Sequence, residues 1–458
     1  MLNHSNFIRS KSLIRSKFQV ILITIGLGIL LGIFCLAQFT QIVSFGLLVS
    51  LLLSISLIII YYSKTLYANL PEGIKNNGVW TGTLTGRGIS AWILGVVLTC
   101  FYILLYWFPH ILGLSSSGNT GIIGFFDPLS QFFKNQPASE WFVYGTLYTL
   151  AIILFGIKFI WKYRHNKYQL LRTISVIFFQ TAFAFLLPEF MLRLNLPFND
   201  FKNMWPLNYY FFDSWHLEEL MKAGNIGWFM LIWGLAMIFL ISPILTYLYG
   251  KRWYCSWVCG CGGLAETAGD SFRHLSDKSI KAWKLERYLI YSVLLISVVM
   301  TIGVLYSYKT GISTLLGINT YELRKWYGFI IGAAFSGVIG VGFYPLLGSR
   351  VWCRFGCPMA AILGIQQKFF SRFRITTNGG QCISCGNCST YCEMGIDVRA
   401  YAQRGQNIVR ASCVGCGICA AVCPRGVLRL ENGSADISTR TTQLKTIHIS
   451  EDSLRILN

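Results

Sequence analysis

Eight predominantly apolar stretches of about twenty residues each run along the chain, long enough to cross a hydrocarbon core of roughly 30 Å as helices. They cover residues 18–39, 42–62, 90–109, 144–161, 170–191, 226–249, 288–307 and 327–347. The fifth carries an arginine near its start and Pro188 and Glu189 near its end. An even number of crossings returns the chain to its starting side. Arg9, Lys11, Arg15 and Lys17 precede the first stretch as they would a signal peptide, but its length and the second span close behind predict a retained helix. Trp92, Trp107, Trp228 and Trp326 fall near span ends, where indole rings anchor at the interface. The expected fold is mainly α: a polytopic helical membrane region of about eight spans, followed by a small C-terminal α+β module.

Composition agrees, since 54% of residues are hydrophobic and only 13% charged, against about one quarter charged in soluble domains. The net charge of +20 raises the question of nucleic acid, and the placement of the basic residues answers it. The expected inner segments up to residue 287 hold 19 Lys and Arg and 5 acidic residues; the outer ones hold 7 and 8. That bias is the positive-inside pattern of a membrane protein, and it predicts both termini, and everything after residue 348, in the cytoplasm. A bacterial inner membrane is the expected location, with no nucleic-acid partner.

Two cysteine runs dominate the polar tail. CISCGNCSTYC places Cys382, Cys385, Cys388 and Cys392 at C-x2-C-x2-C-x3-C, and CVGCGICAAVCP repeats this with Cys413, Cys416, Cys419 and Cys423, 31 residues on. Three close thiolates can wrap one face of an iron–sulfur cube, and the fourth ligand comes from the other run. The expected ligand sets for two [4Fe-4S] clusters are therefore Cys382, Cys385, Cys388 with Cys423, and Cys413, Cys416, Cys419 with Cys392. Zinc sites use other spacings, and disulfides are disfavoured in a reducing cytoplasm. The segment 375–432 resembles a bacterial two-cluster ferredoxin, departing from it at Glu393, where such ferredoxins usually have proline.

A second repeat lies where apolar runs end. RWYCSWVC carries Cys255 and Cys259, RVWCRFGCP carries Cys353 and Cys357, and a shift of 98 residues aligns Gly250 and Arg252 with Gly348 and Arg350. If the helix continued, C-x3-C would put both sulfurs on one face. Two such pairs could hold a metal or a further iron–sulfur centre, act as redox-active thiols, or simply pack. Arg252 and Arg350 could favour thiolates or reach for lipid phosphate.

Together these motifs resemble the NapH, NosR and CcoG group of membrane polyferredoxins over about residues 170–430. That resemblance implies electron transfer between the quinone pool and cytoplasmic clusters, with a partner respiratory or biosynthetic oxidoreductase, or copper reduction during assembly of a respiratory enzyme. A membrane-anchored iron–sulfur sensor is a third reading. The expected divisions are 1–165, four helices outside the resemblance; 166–370, a duplicated membrane core; 371–432, the ferredoxin module; and 433–458, a polar tail. Cys259 is followed by Gly260 rather than the proline frequent in the group, and Cys261 is an additional thiol.

Neither haem nor NAD is expected: no C-x-x-C-H, no histidine within a span and no G-x-G-x-x-G after a strand occurs. No catalytic residue can be assigned. As proton acceptors for a quinol, Glu189 reads more simply as a solvated helix-end carboxylate, and Glu266, Asp270 and His274 as part of an amphipathic interfacial helix.

Overall fold

The structure, a computed structural model, describes residues 32, 45–67, 86–315, 317–432, 446–450 and 453–457. Nine helices frame it: α1 Phe45–Tyr67, α2 Ile89–Trp107, α3 Glu140–Lys162, α4 Lys167–Arg193, α5 Asn225–Tyr249, α6 Gly260–Thr267, α7 Ile280–Thr310, α8 Thr320–Gly342 and α9 Pro358–Phe370. Six of them, α2, α3, α4, α5, α7 and α8, are long and apolar enough to cross a membrane, and each coincides with an expected span. The expected span 18–39 lies outside the described residues. The second, 42–62, falls on α1, an apolar helix of 23 residues.

Three spans contain a widened π segment: Phe179–Leu186 in α4, Met237–Ile241 in α5 and Gly328–Ile339 in α8. The first two stand immediately before Pro188 and Pro243. Proline removes a backbone donor and its ring crowds the preceding turn, so a looser turn there relieves the clash. Trp92, Trp228 and Trp326 are exposed, as interface anchors are.

At the C-terminal ends of α5 and of the short helix Tyr344–Leu347 that follows α8 the chain turns instead of continuing as helix. Gly250 and Gly348 have φ of +67° and +95°, conformations a side chain resists, so each ends its helix just before a cysteine motif. The C-x3-C cysteines consequently do not share one helical face. Cys255 ends the short helix Arg252–Cys255, and Cys259 is extended (φ −67°, ψ 126°) as the cap of α6. Cys353 lies in the wide turn Trp352–Gly356, and Cys357 is extended (φ −84°, ψ 111°) as the cap of α9. The duplication survives in three dimensions, with the second cysteine of each pair at a helix start.

The tail folds against this end of the helices. Arg374–Thr377 pairs antiparallel with Leu428–Glu431, in register from Arg374 opposite Glu431 to Thr377 opposite Leu428, and closes the cysteine-bearing segment between them. Short helices Asn387–Thr390 and Ile418–Ala421 occupy equivalent places in the two runs. The last segment, expected only to be polar, pairs strands Thr446–Ser450 and Ser453–Leu457, whose alternation of apolar and polar residues suits a strand.

Candidate functional site

The two cysteine runs of the tail interleave. Cys382, Cys385, Cys388 and Cys423 line one cavity of about 370 Å3; Cys392, Cys413, Cys416 and Cys419 line a second of the same size. Each cavity thus gathers three thiols of one run and the last of the other. Burial pushes Cys388 and Cys392 up to about 11 and Cys416 up to about 12, so these thiols stay protonated unless a positive core draws the protons off. Spacing narrows the choice of core. A single tetrahedral zinc, with bonds of about 2.3 Å, would hold its sulfurs roughly 3.8 Å apart. Among the described residues, the only three ligand atoms within 4.8 Å of one another belong to Glu266, Glu393 and Cys416, so no cysteine set is gathered tightly around one ion. The donor set fits a larger cube.

The second cavity is the inner one. Four consecutive carbonyls of its loop accept hydrogen bonds from side chains of the membrane region: Cys413 from Gln367 Nε2 at 2.8 Å, Val414 from Ser256 Oγ at 2.7 Å, Gly415 from Tyr168 Oη at 2.8 Å and Cys416 from Gln169 Nε2 at 2.8 Å. The first cavity faces outward, with Cys385 exposed and Ile383 beside it.

Beneath the second cavity, Cys255, Cys259, Cys353 and Cys357 are brought together, all between 5% and 7% exposed, within one apolar cluster that also holds Cys388, Cys413 and Cys419. Burial pushes the Cys255 thiol up to about 12 and raises Cys353 and Cys357 as well. Cys259 goes the other way, below the usual thiol value, because the Cys261 thiol hydrogen-bonds to it. Cys261 therefore supports a member of the set. The Gly260 departure also has a cause: a side chain there would meet Gln180 Oε1, from the π segment of α4, at 2.4 Å.

Arg350 is fully buried, its Nη1 3.7 Å from Cys353 Sγ and 3.3 Å from the Cys255 carbonyl oxygen. Lipid snorkelling is thereby excluded for it. Arg252 turns from the sulfurs toward the tail, 4.7 Å over the Phe373 ring and with Nη2 2.9 Å from Asn432 Oδ1.

Arg350 also begins an ion network that joins membrane region and tail. Its Nη2 lies 2.8 Å from Glu266 and 3.0 Å from Glu393; Glu393 is 2.7 Å from Arg273, which is 2.7 Å from Asp270, which is 2.5 Å from Lys162. Arg172 pairs with Glu266. The surplus of cations over carboxylates sits where a thiolate-bound core needs counter-charge. Glu266 and Asp270, expected on an interfacial helix, are buried here, and Glu189 is buried against Lys134 at 3.7 Å rather than solvated. Their spacing along the chain could not reveal partners that lie far away in sequence, from Lys134 for Glu189 to Lys162 for Asp270.

Burial alone would raise the Asp270 carboxyl, but Lys162, Arg273 and Lys158 hold it well below the usual carboxylate range. A depressed folded value means that its contribution is complete above the unfolded value of about 4 and is lost as pH falls through the folded one. Thermal melting of the full chain is expected to stay flat down to about pH 4 and fall below it. Asp270→Asn should lower the melting temperature at neutral pH and flatten that acid slope; an unchanged slope would show that Asp270 is not coupled to folding.

Residues 381–428 match the family model of the 4Fe-4S dicluster domain, and residues 230–279 and 330–376 match that of the 4Fe-4S binding domain. The cofactor class is iron–sulfur. Among curated proteins, the chain is 27% identical over 172 residues to the "Putative electron transport protein YccM" of Escherichia coli (strain K12), covering 36% of this chain and 47% of that one. It is 26% identical over 166 residues to the uncharacterized protein MJ0749 of Methanocaldococcus jannaschii, covering 35% and 58%. The chain thus spans about half the length of the curated relatives it matches. No solved structure matches it.

Proposed function

We propose that this protein is a membrane electron relay of the inner membrane, passing electrons between the quinone pool and a soluble or membrane-bound partner oxidoreductase on the cytoplasmic side. The observation that carries this reading is the succession of three cysteine sets: one buried at the inner ends of the spans, a second clamped onto it by the carbonyls of residues 413–416, and a third opening at Cys385. The name of one relative points the same way, since YccM is named for electron transport. The Lys and Arg bias supports the cytoplasmic orientation.

In this reading Cys382, Cys385, Cys388 and Cys423 hold one [4Fe-4S] cluster and Cys392, Cys413, Cys416 and Cys419 another. Cys255, Cys259, Cys353 and Cys357 hold a third iron–sulfur centre. Such clusters supply one-electron storage at potentials tuned by charge, hydrogen bonds and solvent. The protein's part is to exclude water from the membrane-edge set, to fix the loop of residues 413–416, and to set Arg350 between Cys353 and Glu393. In lipid nanodiscs, addition of a reduced quinone to the anaerobically purified chain is expected to bleach its visible iron–sulfur absorbance. Absorbance that dithionite bleaches but quinol leaves untouched would remove quinone from the scheme.

One observation favours a second reading, copper reduction. Met204, Met237 and Met359 share the buried cluster with the four membrane-edge cysteines, and thioether with thiolate suits Cu(I). Copper copurifying with the chain and lost in Met359→Leu would support it; iron and sulfide at that site would refute it.

A further inference from the structure

A third cavity opens between the N-terminal end of α7, α9 and residues 409–412, about 920 Å3 including its open mouth. Lys251, Arg287, Lys368 and Arg410 line it, with Cys353 and Met394 in its wall. The one carboxylate in its lining, Glu286, is already held by Arg354 Nε at 2.7 Å and by the Ser412 hydroxyl. None of the four cations forms an ion pair with a carboxylate among the described residues.

Positive residues are common on an inner membrane face, and most are solvated there. These differ in two respects. Lys251 is 1% exposed, its backbone N–H is taken by Gln367 Oε1 at 2.9 Å, and among the described residues no acceptor meets its ammonium. Its Nζ is not among the sealed polar atoms and lines the cavity, where an anion entering from outside the chain can meet it. Second, Arg287 and Arg410 are laid over the Trp283 ring, 5.1 and 4.8 Å from its centroid, which fixes both guanidiniums at the cavity without neutralising them. Planar guanidinium forks with a buried ammonium behind them are the donor set of a phosphate. The cavity also lies at the bilayer edge: Ile290 and Tyr291 in its wall are about one turn along α7 from Arg287, and Tyr288 and Leu295 beside them face outward.

We infer that this cavity binds a phosphate-bearing anion, held by Arg287 and Arg410 at the mouth and by Lys251 within. Two sources share that chemistry, an anionic phospholipid headgroup and a free phosphate compound. Either sets negative charge beside Cys353, which disfavours addition of an electron there; that consequence rests on the relay reading, whereas the binding does not.

The test uses the full chain in nanodiscs. In phosphatidylcholine discs, inorganic pyrophosphate is titrated by calorimetry; in discs containing phosphatidylglycerol, retained lipid is read by native mass spectrometry. Arg287→Gln and Arg410→Gln should each weaken binding about tenfold, the effect of losing a charge-assisted hydrogen bond. Lys281→Gln, an exposed residue outside the cavity, should leave it unchanged. Unaltered iron content in each variant certifies the fold and distinguishes failure here from failure of the relay. Saturable pyrophosphate binding sensitive to the two arginines identifies a free phosphate compound, and arginine-dependent retention of phosphatidylglycerol identifies a lipid headgroup. Absence of both, or binding that ignores Arg287 and Arg410, overturns the inference.

Discussion

Replacing Glu393 with alanine is expected to destabilise the seating of the cysteine-rich tail by about 3–5 kcal/mol, the usual effect of removing one partner from a buried ion pair. Glu393 is the carboxylate through which Arg273 and Arg350 meet, at 2.7 and 3.0 Å, and all three side chains are buried. Without it two guanidiniums stay in the interior with too little counter-charge. Glu393→Gln keeps the shape and loses the charge, so it should fall close to the alanine variant. Glu393→Pro restores the residue usual in ferredoxins and should still fail, because here the position serves attachment. Denaturant unfolding of the full chain, followed by cluster absorbance and by proteolysis near residue 371, is expected to change from one transition to two, the tail leaving first. A single transition at the original midpoint would show that Glu393 does not fasten the tail.

Cys353→Ser is expected to lower bound iron from about twelve to about eight atoms per chain, the difference of one four-iron centre. It should also stop quinol from bleaching the tail while dithionite still does. Serine keeps the size of the side chain but is a poor ligand, so the Arg350 network should persist and the fold with it. Cys385→Ser provides the contrast: quinol should still reduce the inner sites, and delivery to an external acceptor should fail. If Cys353→Ser retained about eight irons, the same as the unaltered chain, and normal quinol reduction, the four membrane-edge cysteines would be packing residues.

Much of this arrangement was legible along the chain. Six spans follow from runs of apolar residues, because length and hydropathy are local properties. The gathering of Cys423 with Cys382, Cys385 and Cys388, and of Cys392 with Cys413, Cys416 and Cys419, was expected from the 31-residue repeat. The illegible parts depend on distant contacts or on a single backbone angle. Reading C-x3-C as one helical face assumed that the preceding helices continue, whereas Gly250 stops α5 and Gly348 stops the short helix Tyr344–Leu347. Glu393 stands where ferredoxins usually have proline, and nothing local announces Arg273 or Arg350 as its partners. Gly260 looked like a lost proline until Gln180 was seen to fill the space. The charged residues after Cys261 looked solvated for the same reason, since Arg172 and Lys162 reach them from helices about a hundred positions earlier.

The grip on the carbonyls of residues 413–416 bears on how the molecule is made. Once Gln367, Ser256, Tyr168 and Gln169 have closed on that loop, the approach to its thiols from the membrane side is covered. On the relay reading proposed above, the inner cube would be inserted before the tail docks.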